Sequence, residues 1–189
     1  MIEFINVQKA FGEQSVINNF SLRVNDGESV AIIGESGSGK TTLLRLAAGL
    51  EMADGGQINK NGKVAFMFQE PRLLPWFTAR QNIIAVIGQE YGDIADKYLD
   101  AVKLSDDADK YPDQLSGGMA QRVAFARFLA YAEVSDADIL MLDEPTAQLD
   151  CELALSMISL LIDFAKNKTL IVVTHNSAEA EMLGSTIKI

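Results

Sequence analysis

Gly34-Glu35-Ser36-Gly37-Ser38-Gly39-Lys40-Thr41 is the stretch on which the reading of this chain turns. It follows the apolar run Ser29 to Ile33 and precedes Thr41 to Ala48, whose leucine spacing predicts a helix. Strand, glycine-rich turn, Lys-Thr and helix in this order satisfy the phosphate-binding-loop pattern. Glycines at 34, 37 and 39 let the backbone curl so that its N–H groups face one point, and the helix adds its positive N-terminus there. Lys40 is placed to neutralise β- and γ-phosphate oxygens and Thr41 to hold magnesium; Glu35, Ser36, Ser38 and Thr42 complete the nucleotide-contacting segment. A glycine turn without a ligand is the competing reading, and it leaves the Lys-Thr pair and the helix unexplained.

Further strands are predicted at Ile2 to Val7, Lys63 to Phe68, Ile139 to Leu142 and Thr169 to Val173, and further helices at Gly118 to Ala130 and Glu152 to Phe164. That alternation predicts an α/β fold with a mostly parallel central sheet. The runs at 139–142 and 169–173 are apolar throughout, as strands covered on both faces are, so they belong at its centre. Phe77 to Gln114 differs: it has no strand-like run but two helical patterns, TARQNIIAVI and DIADKYLDAVKL, and reads as a helical insertion. The expected division is one domain over 1–189, with 1–76 and 134–189 as the core and 77–133 as a helical subdomain.

The composition narrows the function. A net charge of −10 argues against a general nucleic-acid surface, since phosphate-backbone binding rests on clustered Lys and Arg, so any anion site is local. Cys151 is the only cysteine, which excludes an internal disulfide and any multi-cysteine metal centre. No run of 18 or more apolar residues occurs, and the first residues lack the layout of a secretory signal, so a cytosolic chain is expected unless a partner holds it at a membrane.

Two more constellations carry chemistry. Ile139-Leu-Met-Leu-Asp143-Glu144-Pro145 sets two carboxylates just past an apolar strand, where a parallel sheet delivers its ligands. That strand is expected beside the one leading into the phosphate loop. Asp143 would organise the magnesium shell, and Glu144, pointing the other way, would polarise a water in line with the γ-phosphate. In isolation the same acids also read as a solvated strand end capping the next helix. Leu115-Ser116-Gly117-Gly118-Met119-Ala120-Gln121-Arg122 offers a hydroxyl at a helix N-cap and two glycines that leave the first N–H groups uncovered. It is either a plain capped helix or a second anion site, and one nucleotide does not need two such cradles in one chain. Ser116 to Gly118 would then reach a nucleotide held by another copy.

The phosphate loop, LSGGMAQR and ILMLDEP, in this order, resemble the ATP-binding-cassette ATPases over essentially the whole chain. The resemblance implies ATP with Mg2+, a P-loop core carrying N-terminal antiparallel strands, and a head-to-tail homodimer closed by nucleotide. It implies that Gln69 senses magnesium and the attacking water, that Asp150 crosses the dimer interface, that His175 contacts the γ-phosphate, and that Phe11 stacks on adenine. Gln69-Glu-Pro-Arg-Leu-Leu-Pro-Trp76 is similar to the nitrate, sulfonate and taurine importer branch. That likeness implies integral membrane permease subunits, an extracytoplasmic substrate-binding protein and a place on the cytoplasmic face of the membrane, with Leu73, Leu74, Pro75 and Trp76 either contacting a permease helix or anchoring the insertion. A soluble switch ATPase, as in iron–sulfur assembly, is the other reading. Four features depart from the family pattern: Ala147-Gln148 stands where Ser-Ala is usual, Asn176 where Asp is usual, the stretch between Lys40 and Gln69 is compact, and only 14 residues follow His175, where such subunits usually continue through further strands and helices.

Overall fold

The computed structural model describes residues 1–189. Five strands form an all-parallel sheet: β3 (Ser29–Ile33), β5 (Val64–Met67), β6 (Ile139–Asp143), β7 (Thr169–Val173) and β8 (Ser185–Lys188), in the order β5-β6-β7-β3-β8. A separate antiparallel sheet, β2-β1-β4, is built from β1 (Ile2–Phe11), β2 (Gln14–Val24) and β4 (Gly55–Lys60). Strict alternation along the central strands explains their apolar runs. Ile139, Met141, Ile171 and Val173 face one core, shared with α1 (Lys40–Ala48) and the antiparallel sheet. Leu140, Leu142, Leu170 and Val172 face the other, beneath the remaining helices. Both faces are covered, so neither strand has a polar side.

One expectation is overturned. The strand ending at Asp143 is not beside the phosphate-loop strand: β7 lies between β6 and β3, pairing Ile32 with Val173 on one edge and Asp143 with Val173 on the other. What joins the two motifs is α1, which leaves the phosphate loop at the end of β3 and packs over β7 and β6. Thr41, in its first turn, thereby reaches Asp143 across the intervening strand.

The segment after Phe77 carries α2 (Ala79–Ile87) and α3 (Gly92–Ala101), and α4 (Gly117–Val134) packs against both. Thr78 and Gln81 form a capping box that starts α2. Asn82, fully buried, accepts from Leu74 N at 2.7 Å and donates to Leu74 O and Phe77 O, which pins the 74–77 loop to the helix. The last two helices are α5 (Cys151–Phe164) and α6 (Ser177–Leu183), the latter between β7 and β8. No helix is long and apolar enough to cross a membrane.

Candidate functional site

The phosphate loop owes its shape to glycine. Gly37 and Gly39 have φ of 82° and 96°, a left-handed backbone that side chains resist. Gly39 also sits where a Cβ would come within 2.8 Å of Ile17 Cδ1 and 3.1 Å of Val16, so the β1–β2 hairpin presses against the loop from outside. Gly39 caps α1 without any side-chain bond, and no acid occupies the first turn. The N-terminal N–H groups of α1 are therefore left facing the cleft, as anion binding requires. Lys40 is only 7% exposed, yet its ammonium donates solely to Gly34 O (2.8 Å) and Glu35 O (2.7 Å). A buried cation with no carboxylate partner, beside a buried Ser38 hydroxyl that has no hydrogen bond, fits an anionic ligand.

A cleft of about 460 Å³ gathers Gly34, Ser36, Gly37, Gly39, Lys40, Thr41 and Thr42 with Gln69, Glu144 and His175. These positions are distant in sequence and follow the ends of four parallel strands, β3, β5, β6 and β7, the place where open α/β sheets hold ligands. Glu35 and Ser38 face a neighbouring recess that His175 also lines. Asp143 lies beneath, 2% exposed, accepting from Thr41 Oγ1 at 3.1 Å. Burial pushes its carboxyl above the ordinary range, and the Thr41 bond opposes that shift. No three His, Cys, Asp or Glu side chains converge to form a metal cage. One hydroxyl and one carboxylate are nonetheless the donors Mg2+ takes from protein when phosphates and waters complete its shell.

Glu144 departs from the direction expected of it. Continued alternation would send it away from the ligand side, but its φ of 45° breaks the strand immediately after β6 and returns its carboxylate to the cleft. There Glu144 Oε2 accepts from Gln69 Nε2 at 3.2 Å and lies 3.5 Å from His175 Nδ1. Gln69 and His175 therefore converge on one carboxylate oxygen of Glu144.

Ser116, Gly117, Gly118 and Asp150 lie apart from this cleft. Ser116 Oγ accepts from Met119 N at 3.2 Å as the N-cap of α4, and Asp150 Oδ1 accepts from Leu153 N at 2.9 Å as the N-cap of α5. The two segments touch: a Cβ on Gly117 would fall 2.3 Å from Gln148 Oε1, and one on Gly118 would fall 3.3 Å from Leu149. Phe11 closes the β1–β2 hairpin, half exposed, with Lys9 Nζ over its ring at 5.1 Å from the centroid.

Several participants escaped the sequence reading. Val16 lines the cleft from the hairpin, and only the β-branched position in a polar run hinted at it. Gln121, fully buried on α4, donates to Pro145 O at 3.1 Å and ties the LSGG helix to the acid strand. Arg127, further along α4, donates to Pro71 O (2.6 Å) and Arg72 O (3.1 Å) and holds the loop that follows Gln69. Beside it an apolar groove of about 280 Å³ runs between that loop, α2 and α4, lined by Phe66, Phe68, Pro71, Val86, Phe128 and Tyr131. Leu73 packs on the core, whereas Trp76 is 66% exposed.

The ABC transporter family pattern matches residues 17–147. The aliphatic sulfonates import ATP-binding protein SsuB 2 of Pseudomonas syringae pv. syringae is 41% identical over 191 residues, which cover 98% of this chain and 68% of that protein. SsuB 2 of Agrobacterium fabrum is 42% identical over 196 residues, covering 98% of this chain and 74% of that one. Among solved structures, a dimeric ATP-binding cassette in a post-hydrolysis state, bound to ADP and Pi, superposes with a TM-score of 0.90 at 31% identity, covering 100% of this chain and 94% of the other.

Proposed function

The chain belongs to the ABC transporter family, and from that premise we propose that it is the ATP-hydrolysing subunit of an importer for a small solute of the sulfonate, nitrate or taurine kind. The carrying observation is the convergence of Lys40, Thr41, Gln69, Glu144 and His175 on one cleft, with Asp143 held under Thr41. Lys40 and the N–H groups at the start of α1 bind the β- and γ-phosphates. Thr41, Asp143 and Gln69 would hold Mg2+, which when bound offsets phosphate charge. Glu144 orients and deprotonates the attacking water, and Gln69 and His175, both against its carboxylate, fix its direction. Phe11 offers its exposed ring to adenine.

The second half of the site comes from a second copy. Ser116 to Gly118 and Asp150 do not face their own chain's cleft, so a two-fold dimer that turns the LSGG segment of each chain onto the nucleotide of the other gives both anion cradles one ligand. ATP then favours the closed pair because only that state uses both cradles, and hydrolysis releases it. The core of residues 1–76 and 134–189 carries the nucleotide, and segment 77–133 transmits closure to permease subunits through the exposed Trp76 and the apolar groove beside Arg127. On this reading the chain works at the cytoplasmic face of the membrane and is served by an extracytoplasmic substrate-binding protein. The soluble-switch alternative draws no support from the relatives above, which carry import names.

Purification from native membranes in mild detergent tests the importer reading. We expect a multi-span membrane protein to accompany the chain, and recovery of soluble partners alone would contradict it. Lys40→Ala should abolish ATP binding in an equilibrium titration, and undiminished binding would remove the cleft from the account.

A further inference from the structure

The backbone ladder that joins the two acid-bearing loops stops early. β6 and β7 pair as far as Asp143 with Val173, and one further bond, from Glu144 N to Val173 O, closes the register. Beyond it the chain turns at Glu144, and no backbone contact of this ladder holds the segment after Glu144 against the segment that carries His175. A side chain continues the connection. Glu179, 2% exposed in the first turn of α6, accepts from Thr146 Oγ1 at 2.6 Å and from Thr174 Oγ1 at 2.7 Å. Thr146 lies two residues past Glu144, and Thr174 immediately precedes His175.

A buried carboxylate is a costly way to anchor a helix, because its ionised form must be compensated in full. Here the compensation comes entirely from neutral donors. Asn176 Nδ2 adds a third bond at 3.3 Å, and Asn176 N in turn donates to Thr174 Oγ1 at 3.0 Å. The N-terminus of α6 adds its favourable dipole. Ala180 and Leu183 already seat α6 on the core by apolar contact, so holding the helix down does not require an acid. What an acid uniquely offers is two acceptor oxygens, one for each loop. Glu144, His175 and Glu179 line one recess of about 260 Å³ beside the nucleotide cleft.

We propose that Glu179 is a positioning residue for ATP hydrolysis: its carboxylate clamps the segments following β6 and β7 together, so that Glu144 and His175 keep their mutual placement. It rests on the ATPase reading given above. The clamp also links His175 to the loop from Thr146 to Asp150, which in the dimer would face the second copy, so that loop's arrangement is felt at the hydrolytic pair.

Glu179→Gln keeps the size of the side chain but leaves only one oxygen for two hydroxyl donors. The full chain is assayed for ATP affinity by equilibrium titration, for single-turnover hydrolysis per bound ATP, and for thermal midpoint. We expect single-turnover hydrolysis to fall about tenfold or more, as misplacement of reacting groups does, with ATP affinity held within about twofold. Thr174→Val should reproduce that split, Thr174→Ser should restore hydrolysis, and Glu179→Gln with Thr174→Val should be no slower than either alone. Should Glu179→Gln fold poorly, the Thr174 pair carries the test. Unchanged hydrolysis per bound ATP in Glu179→Gln or Thr174→Val, or a loss that merely follows the fraction folded, would overturn the clamp. A wild-type chain that binds ATP without hydrolysing it would instead overturn the ATPase reading, and the clamp with it.

Discussion

Gly37 and Gly39 form a matched pair on which the account of the phosphate loop can be tested. Both have a left-handed backbone, at φ 82° and 96°, so alanine at either meets the same intrinsic resistance of about 1–2 kcal/mol. Their surroundings differ. Nothing lies within 4 Å of a Cβ on Gly37, whereas one on Gly39 meets Ile17 Cδ1 at 2.8 Å and both a side-chain carbon and the carbonyl of Val16 at 3.1 Å. Ile17 is fully packed in the core and the carbonyl belongs to β2, so neither retreats freely. Overpacking of this kind costs a further ~1–3 kcal/mol. Gly37→Ala should therefore lose about 1–2 kcal/mol and Gly39→Ala about 2–5 kcal/mol. Urea unfolding of the nucleotide-free chain reads both, with the slope checked for constancy. Equal losses would mean that the hairpin does not brace the loop, and the packing argument for Gly39 would fall.

Three further expectations follow from the helical segment and its surface. Arg80 donates twice to Asp96, at 2.6 and 2.9 Å, and holds that carboxyl below its ordinary value. A depressed acid stabilises above its unfolded pKa of about 3.9 and loses that contribution as pH falls through the folded value, so Asp96→Asn should be slightly less stable at pH 7, by under ~1 kcal/mol for so exposed a pair, and indistinguishable from wild type in strong acid; a deficit that grows on acidification contradicts the assignment. Arg127→Met leaves the carbonyls of Pro71 and Arg72 without their donor, and chemical denaturation should show a loss of about 2 kcal/mol together with slower ATP turnover. Trp76→Ala, at a 66% exposed position, should change stability by less than about 0.5 kcal/mol while weakening recovery of the membrane partner in detergent pull-downs.

What the sequence disclosed and what it hid have the same cause. The five strands read from it include the three inner members of the parallel sheet, β3, β6 and β7, whose apolar runs reflect burial on both faces, together with β5 at one edge and β1 of the antiparallel sheet. Missed were β2, β4 and β8: QSVINNFSLRV and GGQINK lie half exposed in the antiparallel sheet, and STIK is an exposed edge. Their polar, glycine-bearing composition resembles loop, and their pairing depends on partners far along the chain. The order β6-β7-β3 was equally invisible, since local pattern carries no information about which strand lies between two others. Phosphate-loop and acid positions were legible because each depends on local sequence, whereas His175 and Gln69 were reached only through the family resemblance those motifs carry. The return of Glu144 to the cleft was not, because it depends on a single left-handed residue that is not glycine. Glu179 was hidden for a further reason: in SAEAEML an acid in the first turn reads as a solvated helix start, and its burial between two threonines exists only in three dimensions.

The shared nucleotide site is the central claim, and Glu144→Gln tests it most directly. Glutamine preserves the contact distance to Gln69 and His175 but cannot take the proton from water, so ATP should remain bound and unspent. Light-scattering mass measured across gel filtration with ATP and Mg2+ should give a dimer near twice the 20.6 kDa chain mass, reverting to monomer when ATP is removed. A monomer that retains bound ATP at micromolar protein would contradict the claim that two chains complete each site.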